Sequence, residues 1–386
     1  MRKLCKALAL TLCTVMLLST LTVVGDPGGK QILTLEEAKK LALENNTQFK
    51  LQDNYIKQSQ EDYNDESENF TENVRGRYSS VAQKAEARIK NILGLDALYS
   101  KVEEDVFKKN DLKRKISYDV TTAYYDVMKA RYTLDNATRA MDLAKKNLDI
   151  AKIKLEHGLI TNSMLLQIEN AYKTTQIEYN KAVSDLQNDM ATLSKNIGGK
   201  LDISNYEVDM TIGLPDVSAI KLDKIKEDYI KNSSDFYTLK ETLDTAKSKK
   251  FMTEGEYEDY LEDTHNKSKN VQDEFSDLIT NANRDYDNVK YKYDEAEKAL
   301  DISLSSQYAA IISTMDTIEN LRKSVENART TFEQSKTKYE LGLVSKNEFE
   351  NNESNLKDLE NQLKMTIIGL NTQYLALTQY SYTSTK

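Results

Sequence analysis

The chain has 386 residues, a net charge of −9 and 30% charged residues, with 2 prolines, 2 cysteines and no tryptophan. An acidic chain without a basic patch is not built to track a phosphate backbone, which excludes nucleic acid as a partner. So few helix breakers beside abundant Lys, Glu, Asp, Leu and Ala predict long helices, and an elongated rod rather than two ordinary globular domains.

The first 25 residues have the layout of a secretory signal. Arg2, Lys3 and Lys6 form a basic head, Ala7 to Val24 is an apolar run, and Val23 and Gly25 are small enough for cleavage after Gly25. An uncleaved anchor is the alternative reading, because the run approaches spanning length. Cys13 follows Leu12 inside the run and is not a lipid-attachment site. Both cysteines, Cys5 and Cys13, fall in this stretch, so residues 26–386 hold neither a disulfide nor a thiolate metal site. The expected location is the cell envelope after export. No second apolar run of spanning length follows.

Leu33 to Asn46 opens the remainder. Thr34 with Glu37 three residues later is a capping-box arrangement, and Asn45-Asn46 ends this helix. A second helix starts near Thr47 and fades into the acidic stretch from Glu61 to Glu72. A loop is expected near Asn69 to Tyr78, then a descending helix with a kink at Gly94.

That helix becomes the organising stretch. Ile116, Val120, Ala123, Val127, Ala130, Leu134, Ala137, Met141, Ala144, Leu148, Ala151 and Leu155 are spaced alternately by four and three. The 3.5-residue period is that of a helix supercoiling left-handedly against a neighbour. The alanines at five successive heptads allow close approach of the helix axes. They suit an intrachain seam, or alternatively a tunnel wall. The seam ends at His157-Gly158, where Gly158 is placed to take a left-handed conformation. After Leu159 and Ile160, Thr161 is the expected cap of a returning helix over about 163–197, stopped by Gly198-Gly199. In the link, Tyr206, Val208, Met210 and Ile212 alternate, which allows a short strand.

The second half then repeats the first. Leu155 to Thr161 aligns with Tyr339 to Ser345, Glu169 with Glu353 and Tyr124 with Tyr308; the 3.5 period returns from Leu300 to Tyr339. Ser345 and Glu348 are spaced as a capping box. Leu35, Asn45 and Phe49 align with Leu222, Asn232 and Phe236. The expected organisation is a signal peptide over 1–25, a first helical repeat over 26–199, a linker over 200–220 and a second repeat over 221–386.

The opening Leu33 to Asn46, the Ala123-Tyr-Tyr-Asp126 run and the two tips, His157 to Thr161 and Leu341 to Ser345, resemble TolC-like outer-membrane efflux proteins over nearly all of residues 26–386. The heptad seams and the duplication predict an all-α fold of elongated antiparallel coiled-coil hairpins, TolC-like in form. The resemblance implies homotrimers whose helices form a tunnel, with the tips meeting an adaptor (membrane fusion) protein and an inner-membrane pump. It places Gly158, Leu159, Thr161, Gly342, Leu343 and Ser345 in the docking tips.

The family inserts membrane strands between the second and third helices of each repeat. Here those places, about 64–90 and 252–285, are densely charged, as in Glu254 to Asp263. Membrane strands need about 9–11 residues of apolar–polar alternation, so little or no β-barrel is expected. That leaves a second reading beside the export component: a coiled-coil envelope scaffold that has lost the barrel.

Blander readings stand beside the sharper ones. A tip glycine can end a helix and do nothing more. The run Glu254 to Asp263 lacks the spacing of a calcium loop and reads as a solvated end. His157 and His265, the only histidines, have no His or Cys partner at ligand spacing, so no metal or cofactor is expected. Without a nucleophile constellation, a phosphate loop or G-x-G-x-x-G, the chain is not read as an enzyme.

Overall fold

The computed structural model describes residues 31–72, 74–199, 205–263 and 268–379; the expected signal region and His265 lie outside the described residues. The elements are β1 (Gln31–Leu33), α1 (Leu35–Asn45), α2 (Thr47–Asn69), α3 (Val81–Glu156), α4 (Asn162–Asn196), β2 (Tyr206–Val208), α5 (Leu222–Asn232), α6 (Ser234–Glu262), α7 (Lys269–Glu340) and α8 (Lys346–Thr378). A 3₁₀ turn, Val217–Ala219, precedes α5.

Local chemistry sets the boundaries. The Thr34 hydroxyl accepts from the Glu37 N–H, and the Glu37 carboxylate accepts in return from the Thr34 N–H at 3.0 Å, completing the expected box. Asn46 closes α1 and caps α2, its side chain accepting from the Phe49 N–H. Ser233 plays the same part between α5 and α6, accepting from Phe236. α1 and α5 therefore begin and end, and α2 and α6 begin, on residues that align in the sequence.

α3 and α7 are 76 and 72 residues long. At 1.5 Å per residue each exceeds about 100 Å. α3 runs through Gly94 as one continuous helix. A Cβ there would meet open space, and one glycine costs a helix only about 1 kcal/mol, which packing on both sides offsets.

Four rods lie side by side at every height. Toward the Gly158 and Gly342 turns the order is α4–α3–α8–α7; toward the other end it is α2–α3–α6–α7. Between these levels sits a belt of α1, α5 and a two-stranded parallel sheet, with Gln31, Ile32 and Leu33 opposite Tyr206, Glu207 and Val208. The link alternation foretold β2, but not the strand that pairs with it.

The α3 seam is packed as the period requires. Ile116, Val120, Ala123, Val127, Ala130, Leu148 and Ala151 are buried, and the remaining seam residues are half-buried. Each fully buried Val or Ile contributes about 1.5–3 kcal/mol. α3 is buried on a second face as well: Tyr124, Met128 and Tyr132 join the core with Leu33, Ala38, Ala42 and Val208 from the belt. The Tyr124 hydroxyl lies 2.7 Å from the Leu33 carbonyl and 3.2 Å from that of Asp209, and so bridges the C-terminal ends of the two strands. Burial pushes its pKa up to about 12. In the second half Leu304, Ile311, Ile318, Leu370 and Leu377 form the α7–α8 core.

Among the described residues, no strand occupies the α2–α3 or α6–α7 connection, and no helix is long and apolar enough to cross a membrane. α2 ends at Asn69 and α3 starts at Val81; α6 ends at Glu262 and α7 starts at Lys269. Helices fill most of both places where barrel strands would be inserted.

Candidate functional site: the paired hairpin tips

The two turns are built alike. At the first, Gly158 has φ +68°, its N–H donates to the Leu155 carbonyl at 2.9 Å, and the Leu159 N–H donates to that of Lys154 at 2.8 Å. At the second, Gly342 has φ +69°, with Gly342 bonded to Tyr339 at 2.9 Å and Leu343 to Lys338 at 2.8 Å. This double bond pattern satisfies the last carbonyls of a helix and needs the left-handed conformation that glycine adopts freely. The returning helices are capped in parallel ways. Thr161 accepts from the Met164 N–H at 3.3 Å and Ser345 from the Glu348 N–H at 3.2 Å. For Ser345 this is the hydroxyl half of the expected box.

Satisfying the backbone internally leaves the side chains outward. Leu159, Leu341 and Leu343 are each about 70% exposed, at 72%, 67% and 70%. Gly158, Thr161, Gly342 and Ser345 are exposed too, whereas Ile160 and Val344 tuck partly inward. Behind the second tip Phe349 stacks on Tyr339 and Phe332, with ring centroids 5.2 and 5.5 Å apart. The first tip has no such aromatic brace among the described contacts.

Cross-hairpin bonds put both tips at one end. Arg139 on α3 reaches Asp358 on α8 at 2.8 Å, and nearer the tips Lys146 reaches Glu350 at 3.0 Å. Arg139 also pairs with Asp135, and the buried Asn361 amide donates to both Asp135 and Asn136. Burial alone would raise the Asp135 carboxyl, but the hydrogen bonds from Arg139 and Asn361 outweigh it and hold it below the usual aspartate range.

The flanks of this end carry a signal that a core-seeking reading passes over. On α7, Ser303, Ser306, Ala310, Ser313, Thr317, Asn320, Ser324, Asn327, Thr331 and Gln334 follow a 3.5-residue period without one charge, and all but Ser324 are exposed. On the outer side of α4, Leu166, Asn170, Lys173, Ile177, Asn180, Ser184, Gln187 and Ala191 keep the same period with a single lysine. Ile177 is 69% exposed and Leu166 58%. These are the two open edges of the α4–α3–α8–α7 layer. Their legible signature is missing charge in a chain that is 30% charged.

Catalytic geometry is not found among the described residues. An open cleft of about 600 Å³ between α3, α6 and α7 is lined by partnered groups, including Lys249 with Asp285 at 2.9 Å and Ser100 with Glu241 at 2.7 Å. No group of three or more His, Cys, Asp or Glu among the described residues is placed to hold a metal.

Comparison with solved structures then decides the fold. The Campylobacter jejuni CmeC outer membrane channel matches 89% of this chain and 84% of its own, with a TM-score of 0.63 and 12% identity. The chain has the TolC-like fold. The Neisseria gonorrhoeae MtrE outer membrane channel matches over 89% of this chain and 88% of its own, at TM-score 0.61 and 11% identity. The Vibrio cholerae outer membrane protein VceC matches over 89% and 94%, at TM-score 0.58 and 13% identity. No family model and no curated protein matches the sequence. The TolC-like likeness therefore rests on the path of the chain: elongated antiparallel hairpins, with no closed barrel among the described residues.

Proposed function

We propose that this protein is a TolC-like component of an envelope export system. In this reading copies of the chain close into an α-helical tunnel, and its tips dock an adaptor protein that couples to an inner-membrane pump. The observation that carries the reading is the pair of charge-poor stripes on the open edges of the α4–α3–α8–α7 layer. A layer with two different unpartnered edges joins head to tail, α4 of one copy against α7 of the next, and such contacts make a ring when the rotation closes. The 3.5-residue period of both stripes fits supercoiled rods. Three copies is the number expected from the TolC-like family.

At the tips, Gly158 and Gly342 set the turn, Leu159 and Leu343 offer apolar contact, and Thr161 and Ser345 hold the returning helices. The protein is exported on residues 1–25 and works in the envelope. Residues 26–199 and 221–386 descend from one duplicated unit joined by 200–220. Neither catalysis nor a cofactor enters this role.

Two measurements test it. Light scattering after size exclusion is expected to give three times the chain mass at micromolar concentration; a strict monomer would count decisively against the tunnel. Leu159→Asp with Leu343→Asp is expected to abolish adaptor capture while leaving helix content unchanged, since both side chains are solvent-exposed. Unchanged capture would remove the tips from the proposal. The scaffold reading is favoured by one observation, the short connections between helices where strands would lie. Loss of export on deleting the gene would argue against it.

A further inference from the structure

The end opposite the tips has its own small core. The first turns of α3 and α7 converge there: Ala82 and Ala85 pack on Phe275, which is 0% exposed, with Val271, Leu278, Tyr257 and Tyr260 around it. The Tyr257 and Tyr260 rings sit 5.3 and 5.5 Å from that of Phe275. Polar bonds tie the same helices, Ser80 to Glu274 and Arg88 to Glu256, the latter at 2.9 Å. This end thus packs its aromatic side chains against one another and leaves Val81 exposed.

Its outer surface is acidic. Glu61, Asp62, Asp65, Glu66 and Glu68 stand exposed on the last turns of α2, and Glu258, Asp259, Glu262 and Asp263 at the close of α6. Both groups lie at helix C-termini, where the backbone already presents partial negative charge. Carboxylates add to that charge, so the arrangement needs water to screen it and is costly in hydrocarbon. Two membrane strands and their turn need about 20 residues. Only residues 70–80 separate α2 from α3, and only 263–268 separate α6 from α7.

We infer that this end is a water-facing helical cap and does not enter a bilayer, so that any conduit the chain forms opens there into an aqueous layer. CusC, a TolC-like neighbour at TM-score 0.59, is described by its transmembrane channel formation. The present chain keeps the helical body and closes it with packed helix ends instead. The inference holds whether or not the tips dock an adaptor, and its test reads location rather than transport.

The full chain with Cys5→Ser and Cys13→Ser offers a cysteine-free background. Single Glu68→Cys and Glu258→Cys variants, mixed with phosphatidylethanolamine–phosphatidylglycerol vesicles, are treated with a membrane-impermeant maleimide and, separately, with a polarity-sensitive bimane. The inference expects no loss of maleimide labelling on adding vesicles and no blue shift of the bimane at either site, even if the vesicles carry the protein through its apolar N-terminal run. Protection from the maleimide with a blue shift at both sites would overturn it. Circular dichroism confirms that each variant keeps its helix content, and the exposed positions make that the expected result.

Discussion

Replacing Gly198 by alanine tests the α4 end of the belt. Gly198 has φ +104°, well outside the range a side-chain-bearing residue adopts. An added Cβ would stand 2.4 Å from the Cβ of Asn45, an atom fixed to the α1 backbone and unable to swing aside. That crowding also threatens the bond from the Asn45 amide to the Ile197 carbonyl, 3.0 Å long, which closes α4 onto α1. Backbone strain costs about 1–3 kcal/mol, overpacking about 1–3 kcal/mol and the hydrogen bond about 0.5–1.5 kcal/mol. Because these overlap, a net loss of about 3–5 kcal/mol is expected. Two neighbouring substitutions calibrate it. Gly199→Ala at φ +67° meets open space and should cost only about 1–2 kcal/mol. Gly94→Ala, mid-helix and unobstructed, should stabilise by about 0.5–1 kcal/mol. Urea unfolding followed by far-UV circular dichroism ranks all three. Equal losses for Gly198→Ala and Gly199→Ala would refute the close approach of α1 to the α4 terminus.

Other substitutions probe separate layers. Asp105 is buried and bonded to Ser59 and Lys101; burial would raise its carboxyl, but these partners win and hold it below the ordinary value. A depressed carboxyl gives stability that is present above the unfolded aspartate value of about 4 and lost as pH falls through its folded value. Asp105→Asn should therefore cost stability at neutral pH and flatten the acid limb below about pH 4, as read by unfolding at stepped pH. Asp189 is shifted upward by burial and by Asp126 and Asp185, so Asp189→Asn should stabilise at neutral pH, a gain that fades as pH falls through the raised folded value toward the unfolded one. Tyr124→Phe removes the hydroxyl that bridges Leu33 and Asp209 and should cost about 1–3 kcal/mol in the same urea assay. Phe275→Ala should cost about 3–5 kcal/mol, and hydrogen exchange should show faster exchange at the start of α3 and α7 before the tips respond.

Much of this fold was legible because a seam repeats. The four-three spacing from Ile116 to Leu155 announced a rod with a partner, and Gly158 and Gly342 announced where each rod reverses. The tip residues themselves were legible for the same local reason, since a helix-ending glycine followed by a Thr or Ser cap is a short-range pattern. What escaped is less local. β1 is three residues with a polar first position, too short to show alternation, and its pairing with β2 is set from Tyr124 and the belt core across the chain. The second buried face of α3 was present as Thr121, Tyr124, Met128 and Tyr132 at helical spacing, but the stronger alanine seam drew the reading to one side. The stripes on α4 and α7 went unread because they are defined by charge that is missing rather than by apolar residues that are present.

The most direct measurement is a cross-link between copies. Ile177 on α4 and Ser324 on α7 stand at similar heights above their tips, so Ile177→Cys with Ser324→Cys, in the Cys5→Ser, Cys13→Ser background, places one thiol on each open edge. Mild oxidation of the double variant should yield covalent dimers and trimers that stop at three, while each single variant stays uncrosslinked. A double variant that remains monomeric under oxidation, at concentrations where light scattering sees only one chain, would contradict the tunnel.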